Sequence, residues 1–285
     1  NLTQDHLDSH KDMEDYFRAK KAFFEMLPKQ AFALTNVDDQ YGLRMLEEIK
    51  ANPFSFGFDK DFDTVYFHGK IEKLDLNGLE LSFNKIKIKS KLRGKFNAYN
   101  LLAVWSASSL LGFDMQQVNK ILENIEPPRG RFESFMSPNG VLVIVDYAHK
   151  PDALEKIFSA VKETKKTSGK LISVFGCGGD RDPFKRPIMG KIGAVNSDIA
   201  IFTSDNPRSE DPEKIIEQMK TTLSADELKK IKIIPNRREA ILEAVKLANP
   251  GDIILCAGKG HEDYQEIKGV KNHFDDMEEL KKLYA

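Results

Sequence analysis

The sequence predicts an α/β protein in two parts, a mixed α/β part followed by a mainly parallel sheet. In the second part, five short apolar runs alternate with helix-like segments. Short runs with alternating hydrophobicity, which indicate antiparallel hairpins, are confined to 53–92. Between the parts, the segment EPPRGR at 126–131 has the proline and glycine content of a linker. We therefore expect domains at 1–128 and 129–285.

The first part mixes helix-like and strand-like segments, so a small antiparallel section is expected inside a mixed α/β domain. Helical segments are recognised by apolar residues at helical spacing, and the strongly apolar helix before Gly112 is expected to end at that glycine. In chain order, the expected elements are a helix at 13–27, a strand at 31–37, a helix at 38–50, hairpins within 53–92, and helices at 96–112 and 114–125.

The second part alternates regularly between apolar strand and helix. One helix is expected to begin at Pro151, a residue type that suits the first turn. The predicted strands lie at 140–148, 170–176, 198–204, 231–235 and 252–258, with helices at 151–166, 187–195, 211–223 and 237–248. This alternation predicts a Rossmann-like, mainly parallel sheet covered by helices on both faces.

Composition and charge exclude several classes of partner. The formal net charge is −1, which argues against nucleic acid or an anionic membrane as a dominant partner. The longest apolar runs, such as VLVIV at 141–145, are too short to span a bilayer, and the polar first residues do not resemble a signal peptide. Two cysteines make no disulfide framework. We expect a cytoplasmic protein that binds neither nucleic acid nor a membrane.

Polar, glycine-rich loops follow four of the predicted strands. In open parallel sheets, ligands bind beyond the carboxyl ends of the strands. Each loop alone is compatible with a plain turn carrying solvated charges, but four such loops at one edge favour a binding site. The loops are DYAHKPD, GCGGDRDPFKRP, SDNPRSEDP and GKGHEDYQ.

The charged residues of these loops suit a zwitterion or a dicarboxylate. Arg186 and Arg208 are of the type that grips a carboxylate with two hydrogen bonds, and Asp205 and Glu262 of the type that accepts from an ammonium group. No Ser–His or Cys–His nucleophile pair is evident. Cys177 and Cys256 are interpreted as small residues at strand ends.

Eight motifs, in this order, resemble the Mur ligases and, within that family, its tripeptide synthetases. They are NLTQDHLDSH, MEDYFRAK, GKFNAYNLLA, GRFE, DYAHKPDAL, GCGGDRD…KRPIMG, DNPRSEDP and GKGHEDYQ. The resemblance implies that 1–128 is the latter part of the family's central ATP-binding domain, and that 129–285 is its carboxy-terminal, amino-acid-binding domain. No G-x-x-x-x-G-K-[ST] phosphate loop occurs, so we expect a carboxy-terminal portion of a longer enzyme that hydrolyses little ATP alone.

The resemblance also implies the reaction. The family joins an amino acid to UDP-MurNAc-L-Ala-D-Glu in the cytoplasm, using ATP and Mg²⁺ to form an acyl phosphate that the incoming amine attacks. A monomer is expected. The chain is expected to act with UDP-MurNAc-dipeptide and meso-diaminopimelate. Alternatives that remain open are a lysine-adding ligase, a ligase similar to folylpolyglutamate synthetase, and a non-catalytic binding module.

Metal, catalytic and nucleotide roles are assigned by the same resemblance. Each assigned residue also has a structural interpretation, as a helix-entry histidine, an ordinary helix lysine, a helix cap or a linker charge. The assigned residues are His6 and a carbamoylated Lys20 for the metal, Lys20 and His149 for catalysis, and Asn97, Asn100, Arg131 and Asp146 for the nucleotide.

Amino-acid recognition is implied for one group of residues, namely Arg186, Asp205, Asn206, Pro207, Arg208, Gly258 and Glu262. In relatives that add meso-diaminopimelate, the DNPR motif holds the far carboxylate and amine of that amino acid. L-lysine lacks the far carboxylate and would leave Arg208 as an unpaired buried charge. Arg208 therefore favours meso-diaminopimelate over L-lysine.

Overall fold

The computed structural model describes residues 2, 11–59, 65–75, 78–164 and 169–285, and the chain divides into two compact units, Asn1–Glu126 and Pro127–Ala285. Among the described residues, none of the helices combines the length and apolarity that crossing a bilayer requires.

The first unit contains a five-stranded sheet in the order β1-β2-β3-β4-β5. Strands β1, β2 and β3 pair in parallel, whereas β3, β4 and β5 form antiparallel hairpins. The elements are α1 (Met13–Glu25), β1 (Phe32–Asn36), α2 (Gly42–Leu46), β2 (Asn52–Gly57), β3 (Phe67–Asp75), β4 (Gly78–Phe83), β5 (Ile86–Ser90), α3 (Lys95–Leu110) and α4 (Met115–Asn124).

Strand β2 corrects the expectation that the whole of 53–92 forms antiparallel hairpins. It pairs in parallel with β1 over its full length and contacts β3 only at Phe56 and Gly57. Pro53 is accommodated because the start of β2 has a strand neighbour on one side only, so its missing N–H costs no ladder hydrogen bond.

The helix predicted over 38–50 is wrong in extent, since only Gly42–Leu46 is helical. Side chains divert the preceding backbone into turns: Asp38 N–H donates to Asn36 Oδ1 at 3.0 Å, and Tyr41 N–H donates to Asp39 Oδ1 at 2.9 Å. Beyond the helix, Glu48 has a left-handed φ of 54°, which ends any continuation.

Helix α3 carries much of the apolar core of this unit. It buries Ala98, Leu101, Leu102 and Trp105 against β2–β5. As expected, the helix ends just before Gly112, whose φ of +77° suits the left-handed conformation of a helix terminus.

The second unit contains a six-stranded sheet in the order β10-β9-β8-β11-β7-β6. All five predicted strands are present and parallel, and β6 joins them antiparallel at one edge. The elements are β6 (Glu133–Met136), β7 (Leu142–Asp146), α5 (Pro151–Thr164), β8 (Leu171–Phe175), α6 (Lys185–Asn196), β9 (Ile199–Phe202), α7 (Pro212–Lys220), α8 (Ala225–Leu228), β10 (Ile231–Ile233), α9 (Arg237–Leu247), β11 (Ile253–Ala257), β12 (Tyr264–Ile267), β13 (Val270–His273) and α10 (Asp276–Tyr284).

The central strands of this sheet are covered on both faces. Every residue of β8 and of β11 is buried. One face packs on α9 and α10 through residues such as Ile241 and Leu280, and Phe175 on the other face meets Gly193 of α6. The mainly parallel architecture expected from the sequence is therefore confirmed.

Candidate functional site

The four polar loops lie side by side at one edge of the second sheet. They follow β9, β8, β11 and β7, which are consecutive neighbours in the sheet and parallel, so their carboxyl ends share an edge. We call this edge, with the loops 147–150, 176–184, 203–211 and 258–263, the rim. The expectation that the polar clusters converge is met by this strand order.

The loops after β8 and β9 contact each other through their backbones. Gly179 N–H donates to Asn206 O at 2.9 Å, and a Cβ at Gly179 would lie 2.0 Å from Pro207 O. The Asp180 carboxylate accepts from Ser209 Oγ at 2.6 Å and from Ser209 N–H at 3.2 Å. Only glycine permits this approach, which fixes the position of the DNPR segment.

Arg208 is held at the rim in a defined orientation. Its φ of 50° is left-handed, and its N–H donates to Glu266 O at 3.0 Å. The guanidinium donates through Nη1 to Gly179 O at 2.8 Å, and Nε lies 3.6 Å from a Glu266 carboxylate oxygen. The side chain remains 19% exposed. Its charge is thus oriented by the protein but still accessible to a ligand.

Asn206 and Glu262 form the polar wall next to Arg208. Asn206 is buried, donates through Nδ2 to Glu262 Oε2 at 2.7 Å, and accepts at Oδ1 from Glu266 N–H at 2.9 Å. Glu262 is 18% exposed at its side chain. Glu262 therefore presents a carboxylate whose position is set by the Asn206 amide.

Asp205 is a buried carboxyl group with an unsatisfied oxygen. Its Oδ1 has no hydrogen-bond partner among the described residues and lies 3.8 Å from Lys259 Nζ. Burial raises the pKa of Asp205, an effect that Arg237 and Lys259 oppose. Gly258 is adjacent, with a φ of +112°, and a Cβ there would lie 3.5 Å from Asp205 Oδ2. Since Oδ1 is itself buried and faces Lys259, the side of Asp205 next to Gly258, at Oδ2, is the one suited to a ligand's ammonium group.

The second predicted carboxylate-binding arginine, Arg186, is not free for a ligand in this structure. Its side chain is 1% exposed, and its two terminal nitrogens each lie 2.8 Å from a Glu210 carboxylate oxygen. Nη1 also donates to Gln218 at 2.6 Å and Nη2 to Gly178 O at 3.2 Å. The prediction that Arg186 grips a ligand carboxylate overlooked this internal carboxylate, so Arg186 is placed as a support of the loop after β8.

The predicted nucleotide residues of this unit gather after β7. Asp146 accepts from Phe132 N–H at 2.8 Å and Ala148 N–H at 2.9 Å, and burial raises its pKa. The exposed Arg131 lies with its guanidinium 5.2 Å from the centre of the Tyr147 ring, and the His149 ring packs against the same ring at a tilt, with the ring centres 4.5 Å apart. Arg131 and His149 therefore flank one aromatic ring.

His149 has a defined ring orientation. Its Nδ1 lies 2.9 Å from Tyr147 O, and a carbonyl oxygen only accepts, so the proton of the neutral ring is assigned to Nδ1. Lys185 Nζ donates to His149 O at 3.1 Å, which ties this loop to α6. Nε2 is thereby assigned as the acceptor of the neutral ring.

In the first unit, Lys20 and the two asparagines belong to different features. Lys20 is exposed and lines a cavity of about 240 Å³ whose wall includes Thr35, and Thr35 Oγ1 is buried without a hydrogen-bond partner among the described residues. Asn97 and Asn100 sit on α3, where Asn100 Nδ2 donates to Asn97 Oδ1 at 3.2 Å and Asn97 Nδ2 to Arg93 O at 2.8 Å. The unsatisfied hydroxyl makes the Lys20 cavity suitable for a polar group.

The predicted metal ligand His6 lies outside the described residues. Within the described ranges, no group of three or more His, Cys, Asp or Glu side chains is arranged to hold a metal ion.

Two sequence models of known protein families match this chain. The sequence model described as "Mur ligase middle domain" matches residues 1–108, and the one described as "Mur ligase, glutamate ligase domain" matches residues 130–260. The chain belongs to the Mur ligase family. The resemblance of the eight motifs is thereby confirmed.

Relatives within the Mur ligase family match along the whole chain. A UDP-N-acetylmuramoyl-L-alanyl-D-glutamate--2,6-diaminopimelate ligase of Bacteroides thetaiotaomicron is 48% identical over 284 residues, covering 100% of this chain and 58% of the relative. The ligase of the same name from Phocaeicola vulgatus is 47% identical over 285 residues with the same coverage. A solved structure of a ligase of that name has a TM-score of 0.69 at 34% identity, covering 99% of this chain and 58% of that one. The chain therefore spans about three fifths of the length of these Mur ligases.

The sequence assigned no role to two residues that the structure makes prominent, Lys259 on the rim and Arg237 at the start of α9. Lys259, from the GKGHEDYQ loop, is fully buried among pocket side chains, and Arg237 is fully buried against Asp276. A lysine between two glycines directly after a buried strand was the available signal for Lys259. Arg237 carried no comparable signal, because its partner lies 39 residues further along the chain.

Proposed function

We propose that this chain is the nucleotide- and amino-acid-binding portion of a cytoplasmic ligase. The ligase adds meso-diaminopimelate to UDP-MurNAc-L-Ala-D-Glu in peptidoglycan synthesis, with ATP and Mg²⁺. Support comes from membership of the Mur ligase family and from relatives whose names state this substrate pair. The first unit contributes the latter part of an ATP-binding domain, and the second unit contributes the amino-acid pocket.

The observation that carries the proposal is the pairing of opposite charges at the rim. Arg208 presents a partly exposed guanidinium beside the Glu262 carboxylate, which Asn206 positions. The far end of meso-diaminopimelate carries one carboxylate and one ammonium group, which match these two charges. L-lysine has only the ammonium group there, so Arg208 would lose its ligand partner.

The amine of the far end is received by the acidic side of the pocket. Asp205 offers Oδ2 next to Gly258, and Glu262 offers a carboxylate that Asn206 positions. Pro207 holds the turn between them and Arg208, since its carbonyl accepts from Glu210 N–H at 2.9 Å. Gly258 leaves the approach to Asp205 open, because any side chain there would be strained at a φ of +112°. Arg186 supports the loop from behind through Glu210.

The nucleotide roles are proposed for each unit by itself. In the second unit, Arg131 and His149 suit phosphates and Asp146 suits a ribose. In the first unit, Asn97 and Asn100 suit an adenine. When bound, ATP supplies the phosphoryl group that activates the acceptor carboxylate as an acyl phosphate. The exposed guanidinium of Arg131 and the ring of His149, oriented through Nδ1, provide a cation and an imidazole at fixed positions. In this proposal, Lys20 carries a carbamoyl group at the cavity that Thr35 also lines, and the metal role includes His6.

Chemical-shift mapping tests this assignment directly. With the ¹⁵N-labelled chain, meso-diaminopimelate is expected to shift the amide signals of 204–206, 208 and 258–262, and ADP those of 131 and 146–149. L-lysine is expected to produce smaller shifts at higher concentration. Shifts confined to other regions would contradict the site, and equally strong binding of L-lysine would contradict the proposed amino-acid specificity.

A further inference from the structure

Lys259 is a fully enclosed cation inside the amino-acid pocket. Its side chain is 0% exposed. The ammonium group donates to Tyr264 O, to Glu262 Oε2 at 3.3 Å and to Asn206 Oδ1 at 3.4 Å, and it lies 3.8 Å from Asp205 Oδ1. Every one of these side-chain acceptors is a residue that the proposed function places in the pocket.

A buried ammonium group is energetically unfavourable unless several acceptors surround it, and an apolar side chain of similar length fills the same volume without that cost. The acceptors around the Lys259 ammonium group lie in the loop after β9, in the loop after β11 and at the start of β12. A single positive charge therefore joins three segments of the pocket.

The charge of Lys259 offsets part of the acidic character of the site. Asp205 and Glu262 both face the ammonium group, and Arg237, the other buried cation close to Asp205, is already paired with Asp276 through contacts of 2.6 and 2.8 Å. Lys259 opposes these two carboxylates from inside the pocket, so it reduces the negative charge that a ligand ammonium group meets. Without the Lys259 ammonium group, the negative charge of Asp205 and Glu262 would favour a ligand end that carries only a cation.

We propose that Lys259 is a specificity-determining positioning residue, which sets the charge of the pocket so that a ligand end carrying both a carboxylate and an ammonium group is preferred over an ammonium group alone. The inference rests on the proposed function and adds a second determinant beside Arg208. Arg208 attracts the far carboxylate, while Lys259 limits how strongly the acidic residues attract a lone cation. Lys259 acts through Asn206 and Glu262 and is enclosed behind them.

Calorimetric titration of the chain with meso-diaminopimelate and with L-lysine gives the ratio of the two dissociation constants. We expect Lys259→Met to reduce the preference for meso-diaminopimelate by about tenfold or more, the scale of one lost charge interaction. Lys259→Gln keeps a donor for Tyr264 O while removing the charge. It is expected to show the same reduction, and it decides the question if the methionine variant does not fold.

Lys271→Met is the matched control. Lys271 lies on β13, is exposed, and has its ammonium 4.3 Å from the centre of the same Tyr264 ring that Lys259 approaches at 5.5 Å. Its removal is expected to leave the ratio unchanged. If Lys259 had a purely structural role, its substitution would weaken the binding of both ligands by the same factor. An unchanged ratio of the two dissociation constants in the folded Lys259 variants would therefore overturn the inference and leave the proposed function intact. An unaltered chain that does not prefer meso-diaminopimelate contradicts the proposed function and this inference together.

Discussion

Arg186 and Glu210 form a two-point ion pair beneath the rim, with Nη1 to Oε2 and Nη2 to Oε1 both at 2.8 Å. Glu210 Oε1 also accepts from Asp180 N–H at 2.6 Å. The carboxylate thus joins α6 to both the glycine-rich loop and the DNPR loop. Of the two arginines expected to bind a ligand carboxylate, Arg186 has both terminal nitrogens paired within the protein, and Arg208 is left to face the ligand.

Glu210→Gln is expected to destabilise the second unit. The substitution leaves the 1%-exposed Arg186 guanidinium without its counter-charge, and breaking a pair of this kind costs about 3 kcal/mol. Urea unfolding followed by circular dichroism measures the loss. Glu213→Gln, at an exposed position in the first turn of α7, is the control and is expected to change the free energy of unfolding by less than about 0.5 kcal/mol. A loss no larger than the control's would show that the pair contributes no net stability.

The cost of Glu210→Gln is expected to depend on pH. The hydrogen bond from Arg186 lowers the pKa of Glu210 below its usual value. A carboxyl group with a lowered folded-state pKa stabilises the fold above its unfolded pKa, and this stability is lost as the pH falls through the folded pKa. The difference in the free energy of unfolding between the unaltered chain and the variant should therefore be largest at neutral pH. It should shrink below about pH 4, near the ordinary pKa of Glu. Unfolding free energies measured at intervals across that range provide the check, and a constant difference would contradict the assigned cause.

Two adjacent glycines are expected to respond differently to alanine. In Gly179→Ala the new Cβ would lie 2.0 Å from the backbone oxygen of Pro207, so the backbone must move, at a cost of about 2 kcal/mol or more. In Gly178→Ala the nearest atom is Nη1 of Arg208 at 3.0 Å, the mobile end of a side chain. Gly178→Ala should retain most of the stability but weaken meso-diaminopimelate binding by displacing Arg208. Equal losses of stability in the two variants, measured by thermal unfolding, would contradict the close contact between Gly179 and the Pro207 carbonyl.

The buried pair of Arg237 and Asp276 is expected to behave as one unit. Both side chains are 0% exposed, and two hydrogen bonds of 2.6 and 2.8 Å join them. Arg237→Met leaves Asp276 as an uncompensated buried charge and should cost about 4 kcal/mol. Adding Asp276→Leu to that variant should recover a large part of the loss, because the buried Asp276 carboxylate that lost its counter-charge is then removed as well. If the double variant is less stable than Arg237→Met, the two residues do not act mainly through each other.

The sequence predicted the strand and helix alternation of the second unit because each strand is an apolar run bounded by polar loops. It did not predict β6, α8, the β12–β13 hairpin or α10. In β12, β13 and β6, most residues are only partly buried or exposed, so these strands lack the apolar signature of the central strands. The hairpin matters for the site, since Glu266 and Tyr264 supply backbone contacts to Arg208, Asn206 and Lys259.

The rim was predictable because polar loops after parallel strands must share an edge. The sequence did not predict which rim residues face a ligand and which support the loops, because these roles depend on partners that are distant in sequence. Arg186 meets Glu210 24 residues later, and Lys259 meets Asn206 53 residues earlier. Composition distinguishes neither a supporting arginine from a ligand-facing one nor a buried lysine from an exposed one.

The most direct test of the central claim is a cycle of four dissociation constants, for meso-diaminopimelate and L-lysine binding to the unaltered chain and to Arg208→Ala. In each protein, the two dissociation constants give the difference in binding free energy between the two ligands. This difference in the unaltered chain, minus the difference in the variant, isolates the interaction of Arg208 with the far carboxylate. Arg238→Ala, at an exposed arginine on α9 outside the rim, is the control and should leave that difference unchanged. If Arg208 reads that carboxylate, this coupling should be about 2 kcal/mol or more in favour of meso-diaminopimelate. A coupling near zero, with both ligands weakened equally by Arg208→Ala, would contradict the account.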